Sequence, residues 1–292
     1  MKLLLEPALI IGQPIAASFA AAVEFGYDGV EFGNRNDAIP AYGALAMSLA
    51  DLSKAGKAAA LAGTVIESVA IIQSWADPDE AVRTQAVAWW RDGIEAALAL
   101  GARRINTEFT GKPDQPESSR ESFLRSWEEI GPVIEREGME VRVEPHPGDF
   151  IEDTVGACAL IGEVGSPALG YLHCFPHTFY LGGSIHDQLS SAGRFDHIHL
   201  ADTFRPARTI LNPPEPGRRI HQHFDLGRGE VDWTAAKQAL ALVGFDGLAS
   251  VQVYCWDERA AESFAANQAA ARELLADASL PEGGATQSGG RR

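Results

Sequence analysis

Eight short runs of apolar and β-branched residues recur along this chain of 292 residues, each separated from the next by a longer amphipathic stretch. Strands that alternate with helices of these lengths favour parallel pairing, because each helix returns the chain to the same end of the sheet. We predict strands at Leu3–Ile10, Gly29–Phe32, Thr64–Ile71, Arg104–Glu108, Val141–Glu144, Leu169–Cys174, His197–Leu200 and Leu248–Tyr254.

Glycines mark the ends of the intervening helices. The predicted helices stop at Gly26, Gly101, Gly138, Gly165 and Gly244, and glycine directly after a helix is a common stop signal. A closed (β/α)8 barrel needs eight strands and about 250 residues. We therefore expect an α/β TIM barrel in one domain over residues 1–276, with a disordered tail over residues 277–292. An open doubly wound sheet is the competing architecture, but no Gly-x-Gly-x-x-Gly follows the first strand.

The net charge of −16 argues against a nucleic-acid-binding surface, which needs a basic stripe. Three cysteines are too few, and odd in number, for a disulfide framework. The apolar amino terminus contains an early Glu6 and Pro7, so it indicates a first strand and not a signal peptide. No apolar run reaches the length of about 18 residues that a membrane span requires. We expect a cytoplasmic protein with no membrane partner.

Residues that bind metal ions cluster at the ends of the later strands. Glu144 ends the fifth strand, and His146 follows two residues later, where both side chains would face the same side. A buried glutamate needs a partner, which a metal ion could supply, although a structural ion pair with Arg142 is the alternative. His197 and His199 share the same spacing on the seventh strand, and we predict His199 as a ligand and His197 as a residue that contacts substrate.

The sixth strand offers His173, Cys174 and His177. Alternation along a strand puts His173 and Cys174 on opposite faces, and we favour His173 as the ligand because an oxygen-rich metal site tolerates imidazole better than thiolate. On the eighth strand, Gln252 could bind the same ion through its carbonyl oxygen. The convergence of these groups predicts a metal enzyme of the barrel type.

Two further features bear on substrate binding. Carboxylates lie at or near the ends of the earlier strands, and we expect Glu108 among them to contact sugar hydroxyls, with Trp75 as an apolar wall. A long connection rich in proline and arginine, Thr203–Gly229, follows the seventh strand and could cover the barrel mouth as a lid.

With these motifs in place, the chain resembles the xylose-isomerase-like sugar phosphate isomerase/epimerase superfamily. The resemblance spans nearly the whole chain, from GYDGVEF through GRGEVDW to GFDGLASVQV. ILNPP followed by RIHQHFDLGRGEVDW resembles the subgroup of inositol-catabolism proteins and the large subunits of bacterial C-glycoside deglycosidases. Apurinic endonucleases share the fold, but the acidic charge makes that function a poor match.

In the ketose 3-epimerases of this superfamily, Glu, Asp, His and Glu hold the metal. Glu144 and His199 match the first and third of these ligands. The Asp-x-x-His motif aligns with Cys174–His177, so His177 matches and the aspartate does not. Gln252 replaces the second glutamate, and the resemblance places Arg205 where a substrate-binding arginine is expected.

The resemblance implies a divalent-metal-dependent isomerase or epimerase that removes a proton next to the carbonyl of a sugar or keto-sugar. Manganese is the expected ion, with magnesium, cobalt or zinc as alternatives. Because glutamine cannot accept a proton, we expect a single base at His146 or His177. Two alternatives are a deglycosidase-type lyase that cleaves a 3-keto C-glycoside by β-elimination and a metal-free, non-catalytic barrel. The expected partners are a sugar or glycoside, a second copy of the chain and, as a further option, a small partner subunit.

Overall fold

The computed structural model of the chain describes residues 1–33, 46–193, 195–205, 223–254 and 257–276. The strands in these ranges are β1 (Lys2–Leu5), β2 (Gly29–Phe32), β3 (Ile66–Ala70), β4 (Arg104–Glu108), β5 (Glu140–Glu144), β6 (Leu169–Tyr171), β7 (His173–Cys174), β8 (His197–Leu200) and β9 (Leu248–Val251). The α-helices are α1 (Ile15–Glu24), α2 (Leu49–Ala62), α3 (Glu80–Leu100), α4 (Pro116–Arg136), α5 (Thr154–Val164), α6 (Phe175–Leu181), α7 (Ile185–Ala192), α8 (Trp233–Leu242) and α9 (Ala260–Ala276).

The nine strands form one parallel sheet in the order β6-β5-β4-β3-β2-β1-β9-β8-β7. Its two outermost strands, β6 and β7, are consecutive in the chain. Leu172 lies between them and donates its backbone N–H to the carbonyl oxygen of Val143 on β5 at 3.0 Å. The sheet therefore curves round until its ends meet, which confirms the predicted α/β TIM barrel.

The sixth predicted strand, Leu169–Cys174, is thus two short strands with different neighbours. β6 pairs with β5, and β7 pairs with β8. Two other boundaries also differ from the prediction. β1 ends at Leu5, because Pro7 has no N–H to offer a sheet and the next residues form a 3₁₀ turn. β9 ends at Val251, so Gln252 follows the strand and does not lie in its centre.

Local sequence signals explain the helix ends. The Asp79, Asp153 and Asp232 carboxylates accept hydrogen bonds from backbone N–H groups in the first turns of α3, α5 and α8. Gly101 and Gly165 follow α3 and α5 with φ values of 88° and 66°, a backbone conformation that glycine adopts without strain. The glycine stop signals at these helices therefore act as predicted.

An ion-pair network joins strands at the amino-terminal end of the barrel. Asp196, just before β8, accepts hydrogen bonds from Arg142 Nε at 2.6 Å and Arg142 Nη2 at 2.9 Å. Arg104 Nη2 donates to the same carboxylate at 2.9 Å. Arg142 on β5 therefore pairs with Asp196 and not with Glu144, which makes a different set of contacts at the carboxyl end of the strand.

Several predictions fall on parts of the chain outside the description. Residues 206–222 of the proposed lid and the proposed tail over residues 277–292 lie outside the described residues, and the domain boundary at residue 276 stays a prediction. None of the helices in the described ranges combines the length and the apolar character that a bilayer crossing requires.

Candidate active site

A cavity of about 150 Å³ lies at the carboxyl ends of the strands. Its polar lining comes from side chains on strands all round the barrel and on the loops that follow them. These residues are Asn106, Thr107, Glu108, Glu144, His146, His177, His199, His223, Gln252 and Tyr254. Four imidazoles, two carboxylates and four amide or hydroxyl groups in so small a volume can bind polar ligands and move protons.

His199 on β8 lies between two buried carboxylates. Its Nδ1 is 2.9 Å from Glu144 Oε2, and its Nε2 is 3.0 Å from Glu31 Oε1. Burial by itself would lower the pKa of His199, but the negative charges of Glu144 and Glu31 raise it well above the usual value. In the absence of another cation, His199 is therefore protonated and neutralises part of the charge of both carboxylates.

Glu31 on β2 is fully buried at the centre of a hydrogen-bond network. Burial by itself would raise its pKa, but the charges of His199 and His197 and the hydrogen bonds from both imidazoles hold that pKa well below its usual range. Its remaining lone pairs accept hydrogen bonds from Ser68 Oγ at 2.6 Å, Asn106 Nδ2 at 2.6 Å, Ser250 Oγ at 2.8 Å and Gln252 Nε2 at 2.8 Å. The network satisfies a charge that would otherwise be costly to bury.

Cys174 ends β7 and points towards Glu144 and His199. Its sulfur, one Glu144 oxygen and one His199 nitrogen all lie within 4.8 Å of one another. The thiol is fully buried, and burial followed by the nearby negative charge of Glu144 raises its pKa. A thiol in this environment stays protonated unless a cation is present to stabilise the thiolate.

His173 points to the opposite side of the same strand. Its Nδ1 lies 3.0 Å from the Tyr171 hydroxyl, and its ring packs edge-on against Phe175 at a centroid distance of 4.6 Å. Burial lowers the pKa of His173 to about 3. The structure therefore does not bring His173 to the other predicted ligands, because the alternation of the strand directs Cys174 inwards in its place.

Two further imidazoles form a chain from Gln252 into the cavity. His223 Nδ1 is 2.9 Å from the backbone carbonyl oxygen of Gln252, so this nitrogen carries a proton and donates a hydrogen bond. Burial lowers the pKa of His223 to about 4, which leaves its Nε2 as an acceptor for His177 Nε2 at 3.3 Å. His177 Nε2 then carries the proton, and its Nδ1, 3.7 Å from Glu144 Oε2, is the basic nitrogen.

The position of His223 depends on Asp202, which follows β8. The Asp202 carboxylate accepts hydrogen bonds from the backbone N–H of Gly227 at 2.9 Å and of Val231 at 3.0 Å, and from the indole of Trp233 at 3.0 Å. A Cβ atom at Gly229 would lie 2.3 Å from an Asp202 oxygen, so only glycine fits there. This arrangement accounts for Gly229 and Trp233 in the GRGEVDW segment. It also holds the preceding His223 at the barrel mouth.

Glu108 and His146 line a second wall of the cavity, and Asp149 lies beside them, with one donor atom of each of the three residues within 4.8 Å of the others. His146 Nε2 is 3.9 Å from Glu108 Oε1, and Asp149 Oδ2 accepts the Thr110 backbone N–H at 2.7 Å. Burial, followed by the charge of Glu144, raises the pKa of Glu108 to about 8. Burial, followed by the charge of Glu108, raises the pKa of Asp149 to about 8. This wall can donate protons or hydrogen bonds to a bound ligand.

The cavity brings together six of the ten predicted site residues: Glu108, Glu144, His146, His177, His199 and Gln252. His197 does not join them, because its Nε2 lies 2.9 Å from Ser250 Oγ and 3.1 Å from Glu31, behind the cavity wall. Trp75 lies in the hydrophobic core, where its ring packs on Trp90 at a centroid distance of 4.7 Å.

Arg205 also lies away from the lining. It is exposed, and its guanidinium carbon lies 4.8 Å from the ring centroid of Phe179. It directly precedes residues 206–222, which are outside the description. Its role in substrate binding stays a prediction.

Sequence reasoning underestimated Cys174 and missed His223 and Asp149. The Cys174 signal was present in the spacing Cys174–His177, but strand phase alone does not show which face is inward. His223 follows a long connection, so nothing in its local sequence predicts that it returns to the barrel mouth. The hydrogen-bond network of Glu31 could not be predicted either, because its partners come from strands that are distant in sequence.

The residues present fit a divalent cation. Glu144, Cys174 and His199 supply three donor atoms within 4.8 Å, and the Gln252 side chain lies beside His199 at the same cavity. A cation between these groups would replace the positive charge that the His199 proton supplies to Glu144. Carboxylate, thiolate, imidazole and amide groups are all ligands of divalent metals in proteins.

The sequence profile of the family described as xylose isomerase-like TIM barrel matches residues 19–275. No curated protein matches the chain in sequence. Several solved structures share its fold. D-psicose 3-epimerase with D-tagatose from Clostridium cellulolyticum H10 is 18% identical with a TM-score of 0.74, and the match covers 96% of this chain and 100% of that one.

The IOLI protein with a bound zinc atom is 18% identical with a TM-score of 0.73, over 94% of this chain and 98% of that one. The apo form of 3-keto-D-glucoside 4-epimerase from E. coli is 18% identical with a TM-score of 0.68, over 94% and 99%. At these identities the likeness is one of fold.

Proposed function

We propose that this protein, which belongs to the xylose isomerase-like TIM-barrel family, is a divalent-metal-dependent enzyme that isomerises or epimerises a sugar or keto-sugar. Family membership confirms the superfamily resemblance drawn from the sequence. The main support for this proposal is that side chains able to bind a metal ion lie at the same cavity as a hydrogen-bonded pair of imidazoles. A sugar substrate is supported by the proteins of similar fold that are named as D-psicose and 3-keto-D-glucoside epimerases.

The residues divide into two functions. Glu144, His199 and Cys174, with Gln252 beside them, would hold the cation. When bound, the cation would polarise a substrate carbonyl and stabilise the negative charge that develops as a neighbouring proton leaves. The Gln252 amide cannot accept a proton, so a base must come from elsewhere in the cavity.

His177 is the base that the geometry favours. Its Nε2–H is fixed by His223, which leaves Nδ1 to take a proton from substrate. The imidazolium that forms would lie close to the Glu144 carboxylate, whose negative charge stabilises it. His146 packs edge-on against His177 at a centroid distance of 4.5 Å and is the second candidate base, for return of the proton from another direction.

Substrate hydroxyls would bind on the wall formed by Glu108 and Asp149. Both carboxyl groups have raised pKa values of about 8, so in the cation-free cavity each can donate as well as accept a hydrogen bond at neutral pH. This wall would hold the sugar with its carbonyl towards the cation and the adjacent carbon towards His177.

Gln252 favours a second candidate function. Its nitrogen donates to Glu31 at 2.8 Å, and the position contributes neither a base nor a negative charge. A site with a single base suits β-elimination, in which one proton is removed and a leaving group departs. A 3-keto C-glycoside would lose its aglycone in this way.

The test is to follow solvent exchange. The metal-loaded protein is incubated in D₂O with a panel of ketoses and 3-keto glycosides, and substrate protons are monitored by NMR. Deuterium incorporation or a new sugar isomer supports the isomerase, whereas release of an aglycone supports elimination. Absence of exchange with every substrate, together with absence of bound metal, would support the non-catalytic barrel. The oligomeric state, a small partner subunit and the cytoplasmic location stay predictions.

A further inference from the structure

Cys174 is the shared member of two clusters of metal-binding side chains. One donor atom from each of Glu144, Cys174 and His199 lies within 4.8 Å of the others, and the same holds for Cys174, His177 and His223. All five residues are buried. A cation anywhere between the two clusters would therefore have the Cys174 sulfur within its reach.

The backbone fixes the sulfur in this place. Cys174 pairs with His199 in the parallel register of β7 and β8, so the two side chains emerge side by side on the inner face. The next residue begins α6, whose first turn includes Pro176. The pairing of β7 with β8 and the proline-containing turn that follows Cys174 both restrain the backbone at this residue. The Cys174 side chain therefore has little freedom to turn away.

The donor set around Cys174 is softer than one made of oxygen atoms. It offers the Cys174 thiol, the His199 imidazole and the Glu144 carboxylate, whereas carboxylate, carbonyl and water ligands suit magnesium and manganese. Thiolate together with imidazole selects zinc or cobalt in a near-tetrahedral arrangement. On binding, the S–H bond of Cys174 and one N–H bond of His199 break, sulfur–metal and nitrogen–metal bonds form, and both protons pass to the buffer with no change in oxidation state.

We propose that Cys174 binds the active-site cation through its sulfur and thereby makes the site select zinc or cobalt over manganese and magnesium. This inference rests on one part of the proposed function, which is the binding of a cation at Glu144 and His199. It differs from the manganese site expected from the sequence, in which the sixth strand contributed His173.

Cobalt substitution gives a readout that does not depend on activity. Metal-free, full-length protein is titrated with Co²⁺, and a near-ultraviolet thiolate-to-cobalt charge-transfer band is expected to saturate at one ion per chain. The other two thiols provide a matched control. Cys158 contacts the Ala192 carbonyl in a different part of the fold, and Cys255 lies outside the described residues. A variant carrying Cys158→Ser and Cys255→Ser should keep the band, and Cys174→Ser should lose it.

Competition between ions tests the selectivity. Loss of even an outer-shell partner lowers metal affinity by about 10- to 100-fold, so Cys174→Asp should weaken zinc binding by at least about tenfold relative to manganese. Stoichiometric cobalt without a charge-transfer band, or an unchanged preference in Cys174→Asp, would overturn the role of Cys174 and leave the metal-dependent function standing. Failure of the wild-type protein to bind any of the four ions would overturn both. The Cys158→Ser/Cys255→Ser variant, in which Cys174 is the one remaining thiol, decides the matter even if the Cys174 variants do not fold.

Discussion

The Gln252 carboxamide donates a hydrogen bond from Nε2 to Oε1 of Glu31 at 2.8 Å, and this contact determines which end of the amide faces the cavity. Glu31 is an acceptor only, so the amide nitrogen is directed to it and the amide oxygen is left for other partners. A carboxylate on β2 thus stands beside an amide that follows β9, and Glu144 and Glu31 together supply the negative charge next to His199.

Gln252→Glu should therefore destabilise the metal-free protein. Two buried carboxylates at this separation cannot both ionise without a counter-ion, so the free energy of unfolding should fall by about 3 kcal/mol. The folded-state pKa of the new carboxyl would be raised, so the deficit should grow as the pH rises above the unfolded pKa of about 4.3 and should level off above the folded-state pKa. Denaturant unfolding with a chelator present measures the change.

The double variant Glu31→Gln with Gln252→Glu is the matched control, since it restores one carboxylate and one amide in exchanged positions. It should recover part of the stability that Gln252→Glu loses. If Gln252→Glu is as stable as the wild type at every pH, the contact between Glu31 and Gln252 does not contribute to the free energy of unfolding.

Glu144→Gln should abolish stoichiometric metal binding. The substitution keeps the side-chain volume but removes the charge that attracts a cation and that pairs with His199 at 2.9 Å. Affinity should fall by at least about 10- to 100-fold, the range lost when even an outer-shell group is removed. Elemental analysis after equilibrium dialysis gives the occupancy. Glu163→Gln, which changes an exposed carboxylate paired with Arg120, should bind metal as the wild type does.

His177→Asn should lower kcat by about 10²- to 10⁴-fold, the usual contribution of a positioned general base, with a smaller change in KM. Asparagine retains a group that can hydrogen-bond to His223 but cannot take up the substrate proton. Steady-state kinetics on whichever sugar exchanges deuterium provides the measurement. His186→Asn on the exposed surface of α7 should have no effect, and an equal loss in both variants would argue against a role for His177 in catalysis.

The Asp196 network predicts an acid-dependent loss of stability. Burial by itself would raise the pKa of Asp196, but hydrogen bonds and charge from Arg142 and the charge of Arg104 lower it from 3.8 to about 2. A depressed folded-state pKa stabilises the protein above the unfolded value, and that stabilisation disappears as the pH falls from about 4 towards 2.

Asp196→Asn should consequently be less stable than the wild type at neutral pH, and the difference should narrow over that acidic interval. Thermal or denaturant unfolding across the pH range measures it, with Asp187→Asn on an exposed helix as the control. A difference that stays constant down to the lowest pH would contradict the assigned ion pairs.

Most of the barrel could be predicted from the sequence because its signals are local. Buried parallel strands are short apolar runs, and glycine stop signals such as Gly101 and Gly165 depend only on backbone conformation. The division of the sixth strand could not be predicted, because it depends on how far β5 and β8 extend on either side. The end of β1 was misjudged because the apolar residues after Pro7 continue the strand-like composition.

The site was predictable where the chemistry lies on a strand of known phase, as at Glu144 and His199. It was not predictable at His173 and Cys174. Consecutive residues of a strand point to opposite faces, and the sequence does not show which of these two plausible ligands points inwards. His223 is brought in by hydrogen bonds between Asp202 and a segment about 25 residues later, a tertiary relationship with no local sequence signal.

The meeting of β6 and β7 has a consequence for metal binding. In the described chain, β6 pairs with β5, β7 pairs with β8, and the backbone at Leu172 joins β6 to β7. Glu144 ends β5, whereas Cys174 and His199 lie on β7 and β8. An ion bound by all three would therefore connect β5 to β7 and β8 at a place where strand pairing does not, so the reactive centre would also help to hold the barrel closed.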